Sequence, residues 1–247
     1  MNRHVIRPLM TAFAFLTRLP IRVGVISDDD LGRSVGFFPL VGLVLGFAIA
    51  GLAYAMDGLF PPAMTAVVVT IALAAVTGGL HLDGLSDLFD GLAGGQGNRQ
   101  KTLAIMRDSR IGAQGAVAVF LALAAKIAAV STLIDAGDFL ALVAIPVIGR
   151  FAVGPAIVLF PYARAEGLGR AFNGRARLPQ LVIGAVITGA VVLGLGPTLL
   201  PAALRALGVA LIVAVALRIH LGGLTGDIYG AIIEIAEIAA AFLSVLR

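Results

Sequence analysis

Cysteine is absent from the 247 residues, histidine occurs three times, and charged residues make up only 13% of the chain. Without cysteine there are no disulfides, thiolate metal sites, iron–sulfur clusters or cysteine nucleophiles, and the redox compartment leaves no mark. Three histidines, His4, His81 and His220, argue against a histidine-rich metal cage. The shortage of charge is matched by 60% hydrophobic residues and a mean hydropathy of +1.03. A soluble domain is about half apolar and a quarter charged, so a water-soluble globular fold is excluded. The formal charge is +4 and the pI is near 10.1. In a chain that crosses a bilayer several times, this reflects basic cytoplasmic loops and not a nucleic-acid surface. Fourteen acids remain, and their placement is the most informative feature of the sequence.

A transmembrane helix needs about 20 mostly apolar residues. Seven stretches meet this, at approximately 35–60, 62–80, 112–133, 139–160, 179–195, 199–219 and 228–246. The fifth and sixth are separated only by Gly196-Pro197-Thr198, a tight turn. Residues 4–21 carry Arg7, Arg18 and Pro20 and have no continuous apolar core, so they are not a cleavable signal peptide. They read as an amphipathic helix lying in the interface or as a short helix packed on the bundle. The expected fold is an all-α, polytopic membrane bundle of about seven transmembrane helices with an amphipathic N-terminal helix.

Basic residues cluster before the first span (Arg3, Arg7, Arg18, Arg22, Arg33), between spans two and three (Arg99, Lys101, Arg107, Arg110) and between four and five (Arg164, Arg170, Arg175, Arg177). Lys and Arg collect on the cytoplasmic side. The N-terminus (1–34), segment 81–111 and segment 162–178 are therefore expected in the cytoplasm, and the C-terminus outside. No linker, low-complexity tract or repeat divides residues 1–247, so one membrane-embedded catalytic domain is expected.

Segment 78–92 follows the second span. On a helix at 100° per residue, Asp83, Asp87 and Asp90 fall within an arc of about 60°, with Leu82, Leu85, Phe89 and Leu92 roughly opposite. Like charges at this spacing repel, and desolvating them near a membrane is costly. A bound divalent cation resolves both problems, and hard oxygen ligands suit Mg²⁺, or Mn²⁺. The alternative is the solvated face of an interfacial helix, which normally mixes charges of both signs. Gly84 and Gly91 each follow an acid and permit close approach of backbone or ligand, or simple helix packing. His81 lies about 160° from Asp83 around the helix, so it suits a supporting role better than ligation.

The run Met106-Arg107-Asp108-Ser109-Arg110 precedes the third span. Its arginines suit bidentate phosphate binding and equally an ordinary positive-inside flank. Lys126 and Arg150 lie within spans, where cations call for a carboxylate or phosphate partner. Arg164, Glu166 and Arg170 follow span four in a glycine-containing loop. The last span opens with Asp227 and carries Glu234 and Glu237, all three within about 80° of one face. Acids, a metal and arginines are the equipment of phosphoryl transfer. No Ser-His-Asp set or P-loop competes.

Gly78-Gly79-Leu80-His81-Leu82-Asp83-Gly84-Leu85-Ser86-Asp87-Leu88-Phe89-Asp90-Gly91-Leu92 resembles the signature of the cobalamin synthase (adenosylcobinamide-GDP ribazoletransferase) family. Phe15-Leu16-Thr17-Arg18-Leu19-Pro20, Phe38-Pro39-Leu40-Val41-Gly42, residues 106–112, residues 163–169 and residues 222–231 with Glu234 resemble further motifs in the same order. Ser86, Leu88 and Phe89 depart from the small residues of the pattern, but no acid is lost. The resemblance implies a Mg²⁺-dependent transferase of the cytoplasmic membrane. It joins α-ribazole or its 5′-phosphate to adenosylcobinamide-GDP, releases GMP, and forms adenosylcobalamin or its 5′-phosphate.

Together these readings place Asp83, Asp87 and Asp90 on one or two Mg²⁺, assisted by Asp227 or Glu234. Arg107, Arg110, Lys126 and Arg164 would contact phosphate, and Asp90 or Asp227 would act as general base. His81, Gly84, Gly91 and Ser109 would support the site. The bilayer is an expected partner, nucleic acid is not, and a homo-oligomer is compatible with the sequence. Two rivals share some of these features. A CDP-alcohol phosphatidyltransferase-like enzyme also clusters Asp-Gly acids, but an arginine is expected where Leu88-Phe89 stand. An ion-coupled transporter would use Asp227, Glu234 and Lys126 as a path, yet matched broken helices are not evident.

Overall fold

A computed structural model describes residues 3–246. It is all-helical, with no strand among the described residues. The N-terminal helix α1 (Arg3–Leu16) is followed by the short α2 (Asp28–Ser34). A 3₁₀ turn then leads into α3 (Phe38–Met56), and α4 (Pro62–Thr77) returns. Helices α5 (Leu80–Gly95) and α6 (Arg99–Ile105) carry the motif segment. The remaining long helices are α7 (Ala113–Asp135), α8 (Phe139–Leu159), α9 (Leu178–Leu195), α10 (Leu200–Leu221) and α11 (Gly226–Val245).

Six of these helices are long and apolar enough to cross a membrane, and seven crossings result if α4 and α5 together count as one. The expected second span, 62–80, is therefore corrected. Helix α4 has 16 residues and is about 24 Å long, short of the ~30 Å hydrocarbon core. It breaks at Gly78-Gly79, and α5 departs at 88°. Both glycines have φ near +65° to +68°, a region costly for residues with a Cβ. At Gly78 a side chain would also run into Arg18. The acid-bearing helix thus runs nearly perpendicular to α4. The other expected spans match their helices to within a few residues.

Helix α8 is the hub, buried along most of its length and flanked by α3, α11, α9 and α10. Two close approaches set its neighbours. Gly42 and Gly46, one turn apart on α3, lie against the α8 backbone at Pro146–Val147 and Val143, the small-residue contact by which membrane helices pack. Gly149 of α8 meets Glu237 Cγ and the Ile233 carbonyl of α11. Helices α9 and α10 instead expose Val182, Val186, Leu193, Ile212 and Ile219, as lipid-facing surfaces do. Helix α1 buries Thr11, Ala12 and Leu16 and packs on α2 and α3.

The same packing brings four charges together inside the bundle. Lys126 Nζ of α7 lies 2.5 Å from Glu234 Oε1 and 2.7 Å from Glu237 Oε2 of α11, and Glu237 also pairs with Arg150 of α8. All four are buried. Two cations and two carboxylates cancel, which makes ionic groups tolerable inside a membrane protein.

The close contact of α3 on α8 generates a prediction. An added Cβ at Gly46 would stand 2.9 Å from Val143 Cα, whereas one at Gly51 of the same helix would meet nothing within 4 Å. Overpacking against backbone costs about 1–3 kcal/mol or more. Gly46→Val is expected to lower the melting temperature in detergent by roughly 5 °C or more, with Gly51→Val close to wild type. Equal melting temperatures for the two variants would refute this packing.

Candidate active site

The alternation of antiparallel helices brings the ends of α4, α8 and α10 and the starts of α7, α9 and α11 to one end of the bundle, where α5 and α6 lie. Two loops there are zipped together. The Leu224 amide donates to the Pro161 carbonyl and the Ala163 amide to the Leu224 carbonyl, at 2.9 and 2.8 Å. Arg99 clamps them, donating from Nε to the Leu221 carbonyl and from Nη2 to the Ala163 carbonyl. The zipper sets Arg164 opposite Asp227, and Nη1 donates to Oδ2 at 2.7 Å. Thr225 caps the start of α11 by accepting from the Ile228 amide.

Helix α5 lies directly on this loop and on α11. Gly84 meets the Asp227 backbone, with Asp227 Cα 3.1 Å from where a Cβ would be, and Gly230 of α11 faces the Leu80 carbonyl and His81 Cα. Any larger residue at Gly84 would push Asp227 away from the acids of α5. A cavity of about 580 Å³ opens between α1, α5, α8, α11 and the loop after α8, a volume typical of small-molecule sites. Asp83, Asp87, Asp227, Arg107 and Arg164 line one part of it, with His81 in the wall.

Burial pushes Asp87 up to about 7 from its ordinary 3.8, reinforced by the charges of Asp83, Asp227 and Asp90 and opposed by Arg164. Three carboxylates, one of them paired with Arg164, therefore share this part of the cavity. Among the described residues, no three His, Asp or Glu side chains converge as a preformed metal cage. Mg²⁺ is usually held by one or two carboxylates and completed by water and substrate phosphates. Asp83 and Asp87, with Asp227 across the cavity, fit such a substrate-completed site.

Other expected members are placed elsewhere. Asp90 is spent on structure, its Oδ2 accepting from the Gly112 amide at 2.7 Å and its Oδ1 from the Gly115 amide at 2.8 Å. These are the unsatisfied donors at the start of α7, so Asp90 caps that helix and is corrected as ligand and as base. Glu234 and Lys126 belong to the buried four-charge cluster, which removes the first from the metal set and the second from the phosphate contacts. Arg110 is exposed and bound to Asp108, whose carboxyl it pulls down to about 2. Neither Arg110 nor the exposed Ser109 lines the cavity. Gly91 packs against Met106, just past the end of α6.

The structure adds residues that the acid and arginine patterns did not single out. Arg18, Tyr162, Tyr229 and the aromatic group Phe15, Phe38 and Phe172 all line the cavity. Arg18, Phe15 and Phe38 lie within motifs already legible in the sequence. Nothing local marks Phe172.

The family profile described as cobalamin-5-phosphate synthase matches residues 8–245. The chain belongs to the cobalamin-5-phosphate synthase family. It is 42% identical to a protein named adenosylcobinamide-GDP ribazoletransferase from Syntrophobacter fumaroxidans, over 92% of this chain and 94% of the relative. Proteins of the same name from Ectopseudomonas mendocina and Roseiflexus are each 40% identical, over 93% and 94% of this chain and 94% and 87% of theirs. No solved structure matches. Membership of the cobalamin-5-phosphate synthase family sets aside the phosphatidyltransferase and transporter readings.

The raised Asp87 gives this family member a pH signature. The folded protein holds a proton that the unfolded chain releases near 3.8, so without a cation this group's contribution to stability is present at low pH. It is lost as pH rises through about 7. With cations chelated, the melting temperature is expected to fall over that window, and Asp87→Asn to remove part of the slope. An unchanged slope in the variant would contradict the placement of Asp87.

Proposed function

We propose that this protein transfers the cobinamide phosphate of adenosylcobinamide-GDP to α-ribazole or α-ribazole 5′-phosphate. GMP is released, and adenosylcobalamin or its 5′-phosphate is formed. The observation that carries this reading is the meeting of Asp83, Asp87 and Asp227 with Arg107 and Arg164 in one cavity, in a chain of this family. A ribose hydroxyl oxygen forms a bond to the phosphorus next to cobinamide. The bond from that phosphorus to the oxygen of the departing GMP breaks, and GMP leaves with the electron pair.

Arg107 and Arg164 neutralise non-bridging oxygens, the role planar guanidinium groups fill best. Arg164 holds Asp227 at 2.7 Å, so the carboxylate is fixed beside the place where the diphosphate is bound. Asp227 accepts the hydroxyl proton, since both oxygens of Asp90 are already taken by backbone amides. When bound by Asp83 and Asp87, Mg²⁺, or Mn²⁺, would supply charge neutralisation and a template for the diphosphate. Positioning and charge account for most catalysis of this kind.

The site would face the cytoplasm from the inner membrane, because the basic loops 99–110 and 162–177 lie at its end of the bundle. The test is GMP release from adenosylcobinamide-GDP by membranes containing the protein, with and without α-ribazole phosphate and Mg²⁺. Release is expected only with both, and Asp83→Asn is expected to lower it by at least 100-fold, on the order of an electrostatic catalytic group. Wild-type rates in Asp83→Asn would refute the cation assignment, and no release under any condition would refute the function.

A further inference from the structure

Helix α5 is joined to α4 only through Gly78-Gly79, and no side chain caps its first turn. Glycine restricts the backbone little, so this connection does not by itself fix the rotation of α5 about its axis. That rotation decides whether Asp83 and Asp87 face the cavity. The contacts of Gly84 and Gly230 with neighbouring backbone set how near α5 lies to α11, but they supply no directional bond.

His81 is the polar group on the other side of the same turn. It is 4% exposed, and its Nε2 is buried without a hydrogen-bond partner. Such an atom is costly to leave unpaired, and native structures seldom do so. Gly230, one turn before Glu234 on α11, lets His81 come close, since an added Cβ there would stand 3.3 Å from His81 Cα.

A second, much smaller cavity lies beside this ring. Its volume is about 10 Å³, room for about one water. Its wall includes Thr77, His81, Lys126 and Glu234. His81 lines both cavities, so it stands in the partition between the four-charge cluster and the charged part of the active site.

The donors and acceptors around the small cavity match one water. An ammonium group has three donors. Lys126 directs two of them to Glu234 and Glu237, at 2.5 and 2.7 Å, which leaves a third. The Thr77 hydroxyl donates to the Leu73 carbonyl at 3.0 Å and keeps lone pairs with which to accept. A water that accepts from Lys126 and donates to His81 Nε2 and to Thr77 Oγ1 satisfies all three groups. Three partners are the usual number for a buried water.

We propose that one buried water joins His81 to Lys126 of the four-charge cluster, and that His81 is thereby the positioning residue that fixes the rotation of α5 and aims Asp83 and Asp87 into the active-site cavity. What the two acids do there rests on the transferase reading above, whereas the water bridge does not. The ion pairs that set the rotation of α11 then also set that of α5, and both halves of the site are keyed to one cluster.

The test uses the full chain in lipid nanodiscs. In protein labelled with nitrogen-15 histidine, His81 is identified as the signal that His81→Gln removes. Its Nε2 is expected at the chemical shift of a hydrogen-bonded nitrogen and is expected to move in Thr77→Val. The shift of an unbonded nitrogen, or one unmoved by Thr77→Val, would overturn the water bridge.

The positioning role is read from GMP release as Mg²⁺ and α-ribazole are varied in turn. His81→Gln places an amide oxygen near the place of Nε2, His81→Asn places its amide nearer Nδ1, and His81→Leu has neither. His81→Leu and His81→Asn are expected to raise half-saturating Mg²⁺ about tenfold, as when a group that orients metal ligands is lost, with the KM for α-ribazole within about twofold of wild type. His81→Gln is expected to recover most of the Mg²⁺ response. Wild-type Mg²⁺ dependence in His81→Leu, equal losses in the Gln and Asn variants, or a parallel rise in both constants would overturn the role. If His81→Leu fails to fold, the Gln and Asn variants decide. If the wild type releases no GMP, the transferase reading falls, and the His81 resonance still decides the water bridge.

Discussion

Four charges enclosed among apolar helices fix the arrangement on which everything else depends. Lys126, Arg150, Glu234 and Glu237 come from α7, α8 and α11 and are all buried. A single charge left unpaired at such depth is destabilising by several kcal/mol, so the three helices have little freedom to rotate past one another. Gly149 lets α8 approach α11 closely enough for Glu237 to reach Arg150. Asp227 is two turns from Glu234 on the same helix. The rotation that pairs Glu234 with Lys126 therefore also turns Asp227, Tyr229 and Gly230 toward α5.

A second constraint places the other half of the site. Helix α4 stops short, the Gly78-Gly79 pair turns the chain by 88°, and α5 runs across the end of the bundle. This lets one helix present Asp83 and Asp87 to a cavity while its opposite side buries Leu85 and Leu88. Gly84 and Gly230 bring α5 down onto α11 until backbones touch. The burial that lifts Asp87, reinforced by the neighbouring carboxylates, results from this approach.

Composition and periodicity made much of this legible. Six spans, the turn at Gly196-Pro197-Thr198 and the acid stripe of α5 are local properties of the chain. So is the bias of arginine toward one end. The partner of a charge is not local. Asp90 shares a stripe with Asp83 and Asp87, yet the amides of Gly112 and Gly115 meet it more than twenty residues later. Glu234 shares a stripe with Asp227, but a lysine over one hundred residues earlier neutralises it. Arg110 resembles a phosphate ligand until Asp108 engages it. In each case periodicity identified the face correctly, and tertiary pairing decided which groups on that face stayed available. The glycine pair falls inside the expected second span, 62–80, and its left-handed backbone is what breaks that span.

The claim that intramembrane pairing positions the site is tested most directly by GMP release from Arg150→Met, Glu237→Gln and the double variant, compared in the same membranes. Each single change leaves the buried cluster with one uncompensated charge, and the double change restores its neutrality. The account predicts that each single variant loses most of its turnover and that the double variant recovers a large part of it. Wild-type turnover in the single variants, or no recovery in the double, would contradict it.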